Sequence, residues 1–128
     1  MKKALYSDEY WPAAPTLPVG IAAVGETPIG THGALVDTGA DGSFVPTAIL
    51  EEMNLPVTYT TNARSHLGDV SYPVSIYTVD IVLFDDIRLP GLEVVGDDWG
   101  SQIILGRNVL NLLQLHLDGP GKTISLSE

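Results

Sequence analysis

Residues 33–42 read Gly33-Ala34-Leu35-Val36-Asp37-Thr38-Gly39-Ala40-Asp41-Gly42, an apolar run that delivers an acid, a hydroxyl and a glycine in succession. The pattern describes a buried strand that ends in a tight turn, with a carboxylate at the floor of a cleft. Backbone amides and the threonine can hold such a carboxylate, and Gly39 lets the backbone come close without a side-chain clash. A chain built around this segment must bury the strand and leave the turn open. The triplet Asp37-Thr38-Gly39 occurs only once. A reaction that needs two such acids therefore needs two chains.

At 128 residues the sequence has the length of one domain. A chain of this size can bury roughly two-thirds of its unfolded surface, so it folds without disulfides or metal. Hydrophobic residues make up 45% of it, an ordinary core and well outside the disordered class. There are no cysteines, which excludes disulfide scaffolds, thiolate zinc sites and cysteine nucleophiles and fits a reducing compartment. The formal net charge of −10 opposes nucleic acid and anionic membranes, so neither is an expected partner. Met1-Lys2-Lys3 is followed by too short an apolar stretch for a secretory signal, and no run approaches a membrane span. These features lead us to expect a soluble, acidic, cytoplasmic domain.

Along the chain, residues 1–14 mix charge, aromatics and proline and read as an arm, with Lys3 to Ser7 strand-like, while 15–128 forms the domain. Thr16 to Val24, with Pro18 and Gly20, reads as an edge strand. Gly25-Glu26-Thr27-Pro28 is a turn, and His32 to Val36 a second strand that runs into Asp37. Pro46 to Met53 predicts a helix ended by Asn54. Pro56 to Thr61 favours a strand, and Asn62–Asp69 with Val70–Leu83 forms a hairpin with a mobile tip. A turn at Asp85-Asp86, short strands at Ile87–Leu89 and Leu92–Val95, and a loop at Gly96–Gly100 follow. Ile103–Leu105 is an apolar strand stub, and Arg107–Leu113 is helix-compatible. Gln114–Asp118 and Thr123–Ser127 alternate at the strand period. Many short strands and two short helices point to a mainly β, barrel-like domain.

Two motifs now stand together: Leu35-Val36-Asp37-Thr38-Gly39-Ala40-Asp41, and Ile103-Ile104-Leu105-Gly106-Arg107-Asn108-Val109-Leu110, an apolar strand ending in glycine ahead of a helix. Together they resemble the retropepsin-like aspartic proteases, the single-lobed relatives of pepsin, over roughly residues 15–118. The resemblance implies an all-β closed barrel with one or two short helices, one lobe per chain, and a homodimer that acts on peptide or protein substrates. It implies that Asp37 is the catalytic acid, supported by Thr38, Gly39 and Ala40. It places Asp41 and Arg107 near the floor of the site as substrate or interface residues, joined as an ion pair. It makes the tip Ser65, His66, Leu67, Gly68 and Asp69 a flap, with Tyr72 as a flap aromatic or a core residue. Retroviral flaps are glycine-rich, whereas Gly68 is the single glycine of this tip.

Two carboxyls in hydrogen-bonding distance cannot both ionise cheaply, so they share one proton and titrate as a unit. The pair activates a water for attack on a peptide carbonyl and needs no cofactor and no metal. The intertwined sheet of such a dimer would draw on the arm and the two C-terminal strands. The alternative reading is a catalytically weak or inactive module of the same fold that binds peptides and dimerises. Other chemistries fit poorly. His32, His66 and His116 lack metal-ligand spacing. Gly25 to Thr31 lacks the lysine of a phosphate loop. Asp37 to Gly42 does not match a calcium loop, and no Gly-x-Ser-x-Gly occurs. Glu51-Glu52, Asp85-Asp86 and Asp97-Asp98 read as solvated surface.

Overall fold

A computed structural model of the chain describes residues 1–64 and 70–127. Alternating and fully apolar segments become ten strands, and two short helices separate them. The strands are β1 (Lys2–Leu5), β2 (Thr16–Ala22), β3 (His32–Val36), β4 (Ser43–Pro46), β5 (Tyr59–Arg64), β6 (Ser71–Leu83), β7 (Ile87–Asp97), β8 (Ile103–Leu105), β9 (Gln114–Asp118) and β10 (Thr123–Ser127). The helices are α1 (Thr47–Glu52) and α2 (Arg107–Leu110). No helix among the described residues is long and apolar enough to cross a membrane.

Seven strands form one sheet in the order β2-β3-β8-β4-β7-β6-β5, and an added β2–β6 pairing closes it into a barrel. The expected mainly β barrel is therefore the architecture found. β3 runs parallel to β8 and β4 parallel to β7, while the other pairs are antiparallel. The interior is filled by Leu17, Ile21, Leu50, Ile81, Leu83 and Leu105, all essentially inaccessible. Each contributes about 1.5–3 kcal/mol by leaving water.

Several local readings change. β2 is not an edge strand: Thr16–Val19 pairs with β3 and Val19–Ala22 with β6. The strand changes partner midway, and that exchange is what closes the barrel. The two strands expected at Ile87–Leu89 and Leu92–Val95 are one strand, β7. Pro90-Gly91 passes through as an irregularity in the β6 pairing, where the register jumps between Val79 and Ile81. β4 was not foreseen. α1 starts after Pro46 and ends at Glu52, capped by Met53 and followed by Asn54 at φ 52°, close to the 46–53 span the sequence indicated. α2 is shorter than the 107–113 span and stops at Leu110.

At the β7 irregularity sits a buried acid. Asp80, 1% exposed on β6, accepts the amides of Gly25 (3.0 Å) and Gly91 (2.8 Å) and a hydrogen bond from Arg88 Nη1. Arg88 Nη2 also donates to the Glu26 carbonyl. The Gly25 amide above all, then Gly91 and the guanidinium, hold the Asp80 carboxyl below the usual carboxylate range, against the opposing effect of burial.

The terminal strands form a separate antiparallel sheet, β1-β10-β9. The sequence suggested that these segments pair between subunits. Here they pair within one chain, with Lys2 opposite Leu126 and Ser125 opposite His116, because β10 offers both its edges to its own chain. Lys2 also reaches Asp86 on the barrel at 2.7 Å. Beyond β1, Ser7 bridges to Ala14, and Tyr10 Oη donates to Gln102 Oε1 at 2.7 Å. The first fourteen residues thus lie against the domain.

Candidate active site

Leu35 and Val36 end β3 between β2 and β8, so the chain leaves the barrel at Asp37 with its backbone already fixed. The Asp37 amide donates to the Leu105 carbonyl at 3.0 Å, which ties the turn to the second motif. The Asp37 side chain turns back on its own loop, and Oδ1 accepts the Gly39 amide at 2.9 Å. A Cβ on Gly39 would lie 3.2 Å from that oxygen, so a side chain there would crowd the carboxylate. Oδ2 accepts no hydrogen bond among the described residues, and no ion pair there reaches Asp37. The acid is half-buried and Thr38 and Gly39 are exposed. One oxygen is held and the other is offered.

The second motif braces this loop from below. The Arg107 amide donates to the Ala40 carbonyl (2.8 Å) and the Asn108 amide to the Asp41 carbonyl (3.3 Å), so the first amides of α2 satisfy carbonyls of the Asp37 turn. Arg107 Nη1 donates to the Thr38 carbonyl at 2.9 Å. Gly106 permits this approach: a Cβ there would stand 2.1 Å from the Gly42 carbonyl oxygen. Its amide donates to Ser43 Oγ (2.9 Å), Ser43 Oγ donates to Asn108 Oδ1 (2.7 Å), and Asn108 Nδ2 donates to the Glu93 carbonyl (2.9 Å). Every member of that relay has its partner, so the two motifs are locked at fixed separation.

Above the loop stands the hairpin of β5 and β6, with Ala63 opposite Tyr72 and Arg64 opposite Ser71. Its outer half is exposed on both faces, which suits an arm over a cleft rather than a barrel wall. At its base Tyr59 Oη donates to Glu93 Oε1 (2.9 Å), and chiefly that bond pushes the Tyr59 pKa up. A cavity of about 550 Å³ lies between hairpin and loop, lined by Asp37, Gly39, Ala40, Asp41, Phe44, Arg64, Tyr72 and Arg107.

The structure therefore brings Asp37, Gly39, Ala40, Asp41, Arg107 and Tyr72 to one cavity, while Thr38 is exposed beside Asp37 and is not among the lining residues. The expected flap tip, Ser65, His66, Leu67, Gly68 and Asp69, lies outside the described residues. The expected Asp41–Arg107 ion pair is absent among the described residues, because the guanidinium is spent on the Thr38 carbonyl. Phe44, Arg64 and the Ser43–Asn108 relay were missed. Phe44 belongs to the unforeseen β4, whose Ser43-Phe44-Val45 run was the available signal. Among the described residues no three His, Asp or Glu side chains cluster as metal ligands would.

Comparison with known proteins bears on this geometry. Residues 22–109 match the aspartyl protease family. Three solved structures have a similar fold. A retropepsin-like aspartic protease from Rickettsia conorii shares 12% identity at a TM-score of 0.64, covering 98% of this chain and 90% of the other. The retroviral protease-like domain of Ddi1 from Leishmania major shares 14% at 0.55, covering 90% and 89%. The simian foamy virus protease shares 20% at 0.53, covering 75% and 91%. No curated protein sequence matches the chain significantly.

Proposed function

This chain belongs to the aspartyl protease family and has the retropepsin-like fold, and on that premise we propose that it is a homodimeric aspartic endopeptidase. The observation that carries the reading is the Asp37 carboxylate, with one oxygen fixed by Gly39 and one open, on the floor of a cavity beneath the β5–β6 hairpin. One chain supplies one such acid, so a two-fold axis beside Asp37 supplies the second.

In the dimer the two Asp37 carboxyls share a proton, because two adjacent negative charges repel in a partly desolvated site. The ionised member takes a proton from a water, which attacks the scissile carbonyl carbon. The protonated member donates a hydrogen bond to the carbonyl oxygen as charge develops there. Collapse of the tetrahedral species breaks the C–N bond, and a proton passes to the leaving nitrogen. Thr38 and Gly39, exposed at the turn, face the partner, and Arg107 fixes the carbonyl of Thr38 so that the turn keeps its shape. Tyr72 and Arg64, from the hairpin, close over the substrate.

The test joins activity to assembly. A peptide library should be cleaved with an optimum on the acid side, a statine-type transition-state analogue should bind, and sedimentation should show a dimer at assay concentration. Full activity from a strict monomer would sink the proposal. So would a dimer that binds peptides and the analogue yet cleaves nothing across the acid range.

A further inference from the structure

A second pocket, of about 130 Å³, adjoins the Asp37 cavity, and Phe44 and Tyr72 line both. Its outer wall is the loop after β7, with Asp97, Asp98 and Trp99. This loop is shaped by its own backbone: Asp97 Oδ1 accepts the amides of Trp99 (3.0 Å) and Gly100 (2.9 Å), and Thr47 Oγ1 donates to the Asp97 carbonyl (3.3 Å). The bonds that hold the turn leave Trp99 97% exposed, an unusual position for the largest apolar side chain. Asp98 accepts no hydrogen bond among the described residues. No lysine, arginine or histidine among the described residues lines the pocket.

The two adjoining cavities differ in charge. The main one sets Asp37 and Asp41 against Arg64 and Arg107 and is balanced. The side pocket is lined by Asp97, whose Oδ1 is held by two backbone amides, by Asp98 and by three aromatic residues, with no cationic side chain among the described residues that line it. We propose that this pocket receives a lysine or arginine side chain of the substrate and so sets cleavage specificity, an inference that rests on the peptidase reading above. The alkyl stem of such a residue packs on Phe44 and Tyr72. Its cationic head meets the carboxylates of Asp97 and Asp98 and the face of Trp99, the ring most favourable to a cation. An acidic side chain would be repelled, and an apolar one would strip water from two carboxylates without compensation. The net charge of −10 draws basic peptides toward the protein before they dock.

Peptides differing only in Lys, Arg, Leu or Glu at each position flanking the scissile bond test this. At one position kcat/KM should favour Lys or Arg over Leu by about tenfold, and the preference should weaken with added salt. The Lys-to-Leu ratio should fall toward one in Asp98→Asn and in Trp99→Ala, and Asp98→Lys should reverse the choice toward Glu. The same peptides should be titrated against the Asp37→Asn variant to read binding without cleavage. Cleavage with no basic preference at any position, or a preference unmoved in all three variants, overturns the pocket and leaves the peptidase reading standing. Binding of basic peptides that depends on Asp98, with no cleavage by the unmodified protein, keeps the pocket and overturns the peptidase reading.

Discussion

Asp37, in the turn just after β3, and Asp80, within β6, are carboxylates of one barrel, yet they live in opposite circumstances. Asp37 is half-buried, accepts one backbone amide and meets no cation among the described residues. Asp80 is 1% exposed and takes two backbone amides and a guanidinium, which joins the Gly25 turn, the Pro90-Gly91 irregularity and β6. A carboxylate satisfied on every side is held ionised and chemically quiet. One left half-solvated at a cavity can share a proton and act. The difference teaches that the fold satisfies one acid completely and leaves another partly open, and that the number of fixed donors around each one sets the contrast.

That contrast is open to direct attack. Asp37→Asn should lower hydrolysis by about 10³-fold or more, while the urea midpoint stays close to that of the unmodified protein. A large fall in stability would mean that Asp37 also holds the fold. Gly106→Ala forces a Cβ onto the Gly42 carbonyl, and denaturation should show a loss of about 3 kcal/mol, with activity falling alongside. A neutral result would mean that the two motifs are not in the contact described. Asp80→Asn keeps the shape but removes the charge shared by Arg88 and two amides. It should cost about 2 kcal/mol, and the kcat of whatever folded protein remains should be nearly unchanged. A selective loss of kcat would erase the division of labour.

The smallest effect concerns pH. The Asp80 carboxyl lies below its ordinary range in the folded protein and near about 3.9 when unfolded. Between those values the unfolded chain binds more protons, so stability rises with pH across that window. The contribution is complete above the unfolded value and lost as pH falls through the folded one. Urea titrations should show the gap between the unmodified protein and Asp80→Asn constant near neutrality and narrowing below about pH 4. A gap that widened on acidification would place the lowered pKa elsewhere.

How much could be read in advance follows from the range of each interaction. The Asp37 turn, α1, the hairpin and the β9 and β10 strands were legible, because each is written in a few consecutive residues. Asp80 was not singled out, although an acid inside Val79-Asp80-Ile81-Val82-Leu83 breaks an apolar run and was a signal of a paired buried charge. Its partners come from residues 25, 88 and 91, and no periodicity links them. Arg107 was assigned to Asp41 by resemblance, but the carbonyl of Thr38 takes the guanidinium at 2.9 Å. β2 looked like an edge because proline and glycine suit edges, and only closure of the barrel supplied its second neighbour.

By itself the sequence determined that a single acid would end a buried strand at an open turn, and that an apolar strand, a glycine and a helix would follow downstream. Those are local matters of periodicity, turn chemistry and steric freedom. Tertiary structure alone decided that Gly106 passes within contact of the Asp37 loop, and that Phe44 and Tyr72 separate a balanced cavity from an acidic one. It also decided that the terminal strands pair within their own chain. Each of these joins residues far apart in sequence, where the outcome depends on which surfaces the closed barrel brings together.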